Sequence, residues 1–237
     1  MVMNKLSLKT KRSFIITIIL FILFIVFTLL IKTVNVQSIG PEGSSVGFAS
    51  INNTFLKTIG YNDLWQKITE LLEIFPFIAI GIFAVIGLVQ LIKRKRLFLV
   101  DAEILLLGCV FVLILFTYLL FEIIIINYRP IILDHLEGLE ASYPSSHTIL
   151  SATVMIMSII VVNRKLTKFT IKAIIDIFAI SIAVITVIGR IVSGVHWITD
   201  IVAGILISSA FIMLYSSALS LIDDRRSKFN TEKTPNN

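Results

Sequence analysis

The chain has 237 residues, of which 57% are hydrophobic and only 15% charged, with 21 Lys and Arg against 15 Asp and Glu. So apolar a composition excludes an ordinary soluble domain. The formal charge of +6 does not mark a nucleic-acid partner, because the cations sit in short clusters between apolar runs, where they act as topology signals. The single cysteine, Cys109, lies inside an apolar run and excludes an intrachain disulfide.

In chain order, the first apolar run covers residues 14–31 and follows a basic stretch with Lys5, Lys9, Lys11 and Arg12. It is long for a cleavable signal and is followed by Lys32-Thr33-Val34-Asn35 instead of small residues, which predicts a retained signal anchor and first span. Segment 32–74 comes next. Its apolar positions Leu64, Ile68, Leu71 and Phe75, with Trp65 beside them, have helical spacing, as expected of a short helix in the headgroup region or of one packed on a bundle. Further runs of bilayer-spanning length follow at 75–92, 103–126, 148–162, 171–189 and 198–222. Pro41, Pro130, Pro144 and Pro235 fall outside the runs, and Pro76 falls in the first turn of the second, where a helix tolerates it.

The expected fold class is therefore all-α, a polytopic membrane protein with six transmembrane helices. Residues 14–222 form the membrane domain, 1–13 a cytoplasmic N-terminus and 223–237 a polar cytoplasmic tail. Orientation follows from the cations. The N-terminal cluster, Lys93-Arg94-Lys95-Arg96, Arg164/Lys165/Lys168/Lys172 and Arg225/Arg226/Lys228/Lys233 hold all but five of the 21. The positive-inside bias places these segments and both termini inward, and the loops after spans one, three and five outward.

Polar residues collect in two of those outward loops. One contains Asn127-Tyr128-Arg129-Pro130, then Asp134-His135, and closes on Tyr143-Pro144-Ser145-Ser146-His147; the other runs from Gly189-Arg190 through Gly194-Val195-His196 to Asp200. Charge at membrane depth is costly unless paired or functional, and one end of a bundle can bring both loops together. Guanidinium forks fit phosphate oxygens. His196 and Asp200, four apart, share a helix face if the sixth span begins near them, so the carboxylate could hold one ring nitrogen protonated and leave the other free to attack phosphorus. Pro144-Ser145-Ser146-His147 has the pattern of a helix start that favours an anion, with His147 placed to protonate a leaving alkoxide. Gly189 and Gly194 would let backbone approach a ligand closely. A metal site using Asp134, His135, His147 and His196 is the weaker alternative, since no two histidines are four apart and two arginines would repel a cation.

At these residues the chain resembles the type 2 phosphatidic acid phosphatase family, with signatures K-x6-R-P, P-S-G-H and S-R-x5-H-x3-D. Arg129-Pro130 ends the first; Pro144, Ser145 and His147 fall on the second; Arg190, His196 and Asp200 fall on the third with matching spacing. The layout is similar to that of the bacterial members. The resemblance implies a metal-independent lipid phosphate phosphatase of the cell membrane, without cofactor, with its site on the extracytoplasmic face. It implies a phosphohistidine on His196, orientation of that ring by Asp200, leaving-group protonation by His147, and phosphate binding by Arg129, Ser145 and Arg190, with Ser146 adding a donor. The expected substrate is phosphatidic acid, phosphatidylglycerol phosphate or a polyprenyl (di)phosphate. A phosphotransferase using the same histidine, and a catalytically impaired lipid-phosphate-binding protein, are the alternatives. Three positions depart from the signatures: Glu122 stands at the lysine, Ser146 at the glycine and Gly189 at the serine. Glu122 either pairs with Arg129 two helical turns on or stays protonated near the bilayer.

Overall fold

Residues 6–133, 136 and 138–233 are described by a computed structural model, the last four by backbone alone. Six helical stretches are long and apolar enough to cross a membrane. They are α1 (Leu8–Thr33), a nearly continuous pair formed by α3 (Asp63–Leu72) and α4 (Ile74–Arg94), α5 (Ala102–Ile123), α6 (Ser146–Lys165), α7 (Phe169–Ser193) and α8 (Ile198–Lys233). A short α2 (Ala49–Ile59) precedes α3. Among the described residues there is no strand, only the isolated bridges Gln37↔Val46 and Tyr128↔Ala141. Every predicted span has its helix, and the last one runs without a break past residue 222 through the polar stretch to Lys233.

α1 shows how such a chain chooses its contacts. Thr10, Thr17, Phe24 and Ile31 are its buried residues, seven apart, while Ile15, Ile18, Ile22, Ile25 and Leu29 stay exposed. A seven-residue repeat keeps one seam on one neighbour, here α8. Hydrocarbon offers no hydrophobic drive for helix association, so hydroxyl groups contribute to the packing of α1, alongside Phe24, whose ring packs on Phe121 and Tyr143. Thr17 Oγ1 lies 3.1 Å from Ser217 Oγ, which in turn donates to Ser13 Oγ at 2.8 Å.

α6 is central, touching α4, α5, α7 and α8. Leu107, Met157, Ile207, Phe211 and Tyr215 form the heart of the core around it. At the end of the bundle that carries the basic clusters, Asp101 binds Arg94 and Lys165, each at 2.8 Å, and Arg164 forks onto Asp223 at 2.8 and 2.9 Å. Hydrogen bonds from Lys165 and Arg94 hold the Asp101 carboxyl down at about 2. The clamp between α4, α5 and α6 is thus ionised at any physiological pH.

The opposite end is closed by the segment between α1 and α4. α3 does not pack through the Leu64–Leu71 stripe, since these two side chains are 66% and 70% exposed. Its buried residue is Thr69, which with Trp65 meets α7 at Gly189. A helix beside a membrane bundle can leave its apolar face outward, and backbones approach most closely where side chains are small. Asn52 of α2 reaches the start of α8, where its Nδ2 donates to Thr199 Oγ1 at 3.1 Å.

Candidate active site

The loop between α5 and α6 is held as a miniature ladder. Arg129 N donates to Glu140 O and Ser142 N to Asn127 O, both at 3.0 Å. The pairing sets Arg129 beside Glu140, and their side chains form an ion pair, Nε to Oε2, at 2.8 Å. Arg129 Nη1 is left buried without a hydrogen-bond partner. Glu122, the other acid considered for Arg129, is exposed at the cavity described below, beside the Tyr118 hydroxyl.

α6 begins at Ser146 with Ser145 as its N-cap, but the Ser145 hydroxyl does not cap the helix. It accepts instead from Thr148 Oγ1 at 3.1 Å, while Ser145 N donates to Asp200 O at 3.1 Å. The start of α6 is thereby tied to the first turn of α8. His147, one residue on, has Nε2 3.2 Å from Glu73 Oε1 and Nδ1 buried with no partner.

α7 ends at Ser193, where Gly194 adopts φ +67° and the chain turns back toward α8. A side chain at Gly194 would also lie 2.0 Å from the Gly60 carbonyl oxygen. At Gly189, a Cβ would fall 2.4 Å from Thr69 Cγ2 and 3.1 Å from the Trp65 ring. Both glycines therefore admit the α2–α3 segment, where close approach to a ligand was expected of them. Thr69 Oγ1 accepts from Arg190 Nη1 at 3.3 Å, so α3 supplies a hydroxyl to this arginine next to the position where the signature has serine. Gly189→Ser should cost about 1–3 kcal/mol through overpacking. Thermal unfolding in detergent checks this, and Gly189→Ser with Thr69→Ala should regain most of the loss.

Arg190 is 1% exposed, and its Nη2 lies 2.9 Å from His196 Nε2. A guanidinium only donates, so Nε2 must accept and Nδ1 must carry the ring proton. That proton goes to the Ser142 carbonyl, with Nδ1 3.0 Å from the oxygen. Asp200 Oδ2 stands 3.8 Å from Nδ1, beyond hydrogen-bond reach. Its carboxylate accepts from Asn127 Nδ2 at 3.0 Å and from Trp197 N at 3.1 Å. Burial, then the charges of Arg190 and Arg129, hold the His196 imidazole well below the usual histidine range. It is neutral at physiological pH and carries a lone pair on the nitrogen that faces Arg190.

A cavity of about 880 Å³ opens over these groups. Arg129, Ser146, His147 and His196 line it, as do Glu73 and Ser142. Arg190, Asp200 and Ser145 stand behind that surface, within hydrogen-bond or ion-pair distance of residues that form it or of each other. Away from the polar end, the walls are apolar side chains of α4, α5 and α6, among them Phe77, Phe111, Leu115 and Leu150. Asp134 and His135 lie outside the described residues. Glu73, Ser142, Asn127 and Glu140 were not anticipated from sequence. Glu73 did carry a signal, as an acid at the edge of an apolar run; the other three sit among ordinary loop residues.

Six helices long and apolar enough to cross a membrane, with a polar, histidine-bearing pocket at one end that is continuous with an apolar crevice, define an integral membrane protein. The chain belongs to the PAP2 superfamily, which matches it over residues 13–221, and it is a phosphatase of that type. Among solved structures, the fold is similar to the transmembrane PAP2 type phosphatidylglycerolphosphate phosphatase from Bacillus subtilis. The TM-score is 0.61 at 20% identity, over 84% of this chain and 94% of that one. No curated protein matches the chain by sequence.

Proposed function

We propose that this protein hydrolyses a phosphate monoester or diphosphate of a membrane lipid through a phosphohistidine on His196, with phosphatidylglycerol phosphate the first candidate. The observation that carries the proposal is the His196 ring. Its Nδ1–H is fixed by the Ser142 carbonyl, and its basic Nε2 is held against the buried Arg190, at a cavity that joins Arg129, His147 and His196 to an apolar crevice.

A phosphate drawn to Arg129 and Arg190 takes over the Arg190 N–H groups, which frees the Nε2 lone pair. Nε2 attacks phosphorus, the P–O ester bond breaks, and its electron pair leaves on the lipid oxygen, which takes a proton from His147. The phosphorylated ring, still protonated at Nδ1, is cationic. The Ser142 carbonyl at 3.0 Å and the Asp200 carboxylate at 3.8 Å stabilise that charge. Water then attacks phosphorus and gives its proton back to His147, and the P–N bond electrons return to Nε2. Ser145 and Ser146, at the start of α6, contribute donors for the phosphate oxygens. The Arg129–Glu140 pair keeps the second cation in place without consuming Nη1.

The basic clusters lie at the bundle end remote from the cavity. The positive-inside bias thus supports a site on the extracytoplasmic face, with the termini inside. Similarity of fold to the Bacillus subtilis phosphatase supports the phosphatidylglycerol phosphate choice.

Purified protein in detergent should release inorganic phosphate from phosphatidylglycerol phosphate without added metal, and more slowly from phosphatidic acid or undecaprenyl diphosphate. Labelled phosphate recovered on an alcohol acceptor instead would identify a transferase; lipid binding without any release would identify a binding protein. Glu122 lines the cavity where the signature has lysine. Glu122→Lys should therefore lower KM a few-fold through the added attraction for phosphate, with little change in kcat. Steady-state kinetics over a range of ionic strength checks this, because the gain should fade with salt.

A further inference from the structure

α3 and α4 are nearly one helix, broken at a single residue. Glu73 ends α3 as its C-cap and opens α4 as its N-cap, with Pro76 in the next turn. The Glu73 side chain lines the cavity, where it is 23% exposed and its Oε1 lies 3.2 Å from His147 Nε2. His147 itself is 13% exposed. The charged and titratable groups around this pair are Arg129 from the α5–α6 loop, Arg190 from α7, Glu70 from α3 and His196 from the α7–α8 turn. Two guanidinium groups oppose a positive charge on His147, and Glu73 is the acid in contact with the ring.

A leaving-group acid must offer a proton from one ring nitrogen, and the other nitrogen needs an acceptor that fixes the ring and supports the imidazolium. For His196 the acceptor is the Ser142 carbonyl. For His147 the atom so placed is Glu73 Oε1, and the nitrogen left over, Nδ1, is buried without a partner. We propose that Glu73 is a positioning residue for the leaving-group proton: its carboxylate holds the Nε2–H of His147 and so presents Nδ1–H to the departing lipid oxygen. The proton passes from Nδ1 to that oxygen as the P–O bond breaks, and Nδ1 recovers it from the hydrolytic water. The proposal rests on the assignment of His147 as the acid.

Leaving-group dependence separates this role from a structural one. An alkyl oxygen needs the proton, whereas 4-nitrophenolate departs almost without it. In single-turnover experiments on the full-length protein in detergent, which read P–O cleavage before the hydrolytic water is needed, Glu73→Gln should slow diacylglycerol release from phosphatidic acid by roughly 10- to 100-fold, with 4-nitrophenolate release from 4-nitrophenyl phosphate within about threefold of wild type. Glu73→Asp should recover part of the loss. His147→Ala should show the same selectivity more strongly, and adding Glu73→Gln to it should cost nothing further. If Glu73→Gln slows both esters equally, or slows neither, while His147→Ala discriminates between them, the role of Glu73 is overturned and the acid stands. If His147→Ala slows both esters alike, the acid assignment falls and takes this proposal with it.

Discussion

His196→Ala should reduce phosphate release by on the order of 10⁴-fold or more, because it removes the proposed nucleophile. Lipid binding should survive, since Arg129 and Arg190 remain. Quenched-flow labelling with a ³²P-lipid should trap an acid-labile phosphoprotein in the wild type and none in the variant. Full activity in His196→Ala would sink the mechanism outright. The pH profile adds an independent check. Burial and the two arginines hold the imidazole below the ordinary histidine value. The nucleophile thus stays neutral as the pH falls through 6.5, where an unperturbed histidine would protonate. Protonation of His196 should produce no loss of kcat/KM between about pH 7 and 6; a single-proton loss centred near 6.5 that disappears with a compensating nucleophile would contradict that environment.

Arg190→Ala should cost roughly 10²- to 10³-fold in kcat, the range found when a preorganised donor to developing oxyanion charge is removed. The loss has two sources. The phosphoryl oxygens lose a buried cation, and the Nε2 atom loses the partner that holds its tautomer in the empty site. Arg190→Lys should restore only part of the rate, since an ammonium supplies charge without the fork that spans Thr69 Oγ1 and His196 Nε2. Parallel kinetics on the three proteins, with thermal unfolding to separate folding from catalysis, measures both parts. Arg190→Lys equal to wild type would show that charge alone suffices.

Much of the molecule is legible before any coordinates. Long apolar runs in a bilayer have one solution, the helix, because no water is available to satisfy a free backbone. The six runs therefore map onto α1, α4, α5, α6, α7 and α8 with differences of a few residues at most ends. The Arg190, His196 and Asp200 spacing is likewise local, contained in one helix end, one turn and one helix start. Segment 32–74 was less legible. Its apolar stripe is the obvious feature, yet the face that packs is the one carrying Thr69, which sits against Gly189 where a side chain would collide with it.

The sequence by itself determined the class of the protein and its six spans, and it pointed to arginines and histidines that the fold brings to one end of the bundle, because hydropathy and motif spacing act over short stretches of chain. Tertiary structure alone decided which atoms serve them. The Ser142 carbonyl, not the Asp200 carboxylate, receives the His196 proton; Glu140, not Glu122, takes Arg129; and Glu73 takes His147. These choices depend on which acceptor arrives within about 3 Å when helices pack. For His196 and for His147 that partner lies more than fifty residues away along the chain, where no periodicity connects the two.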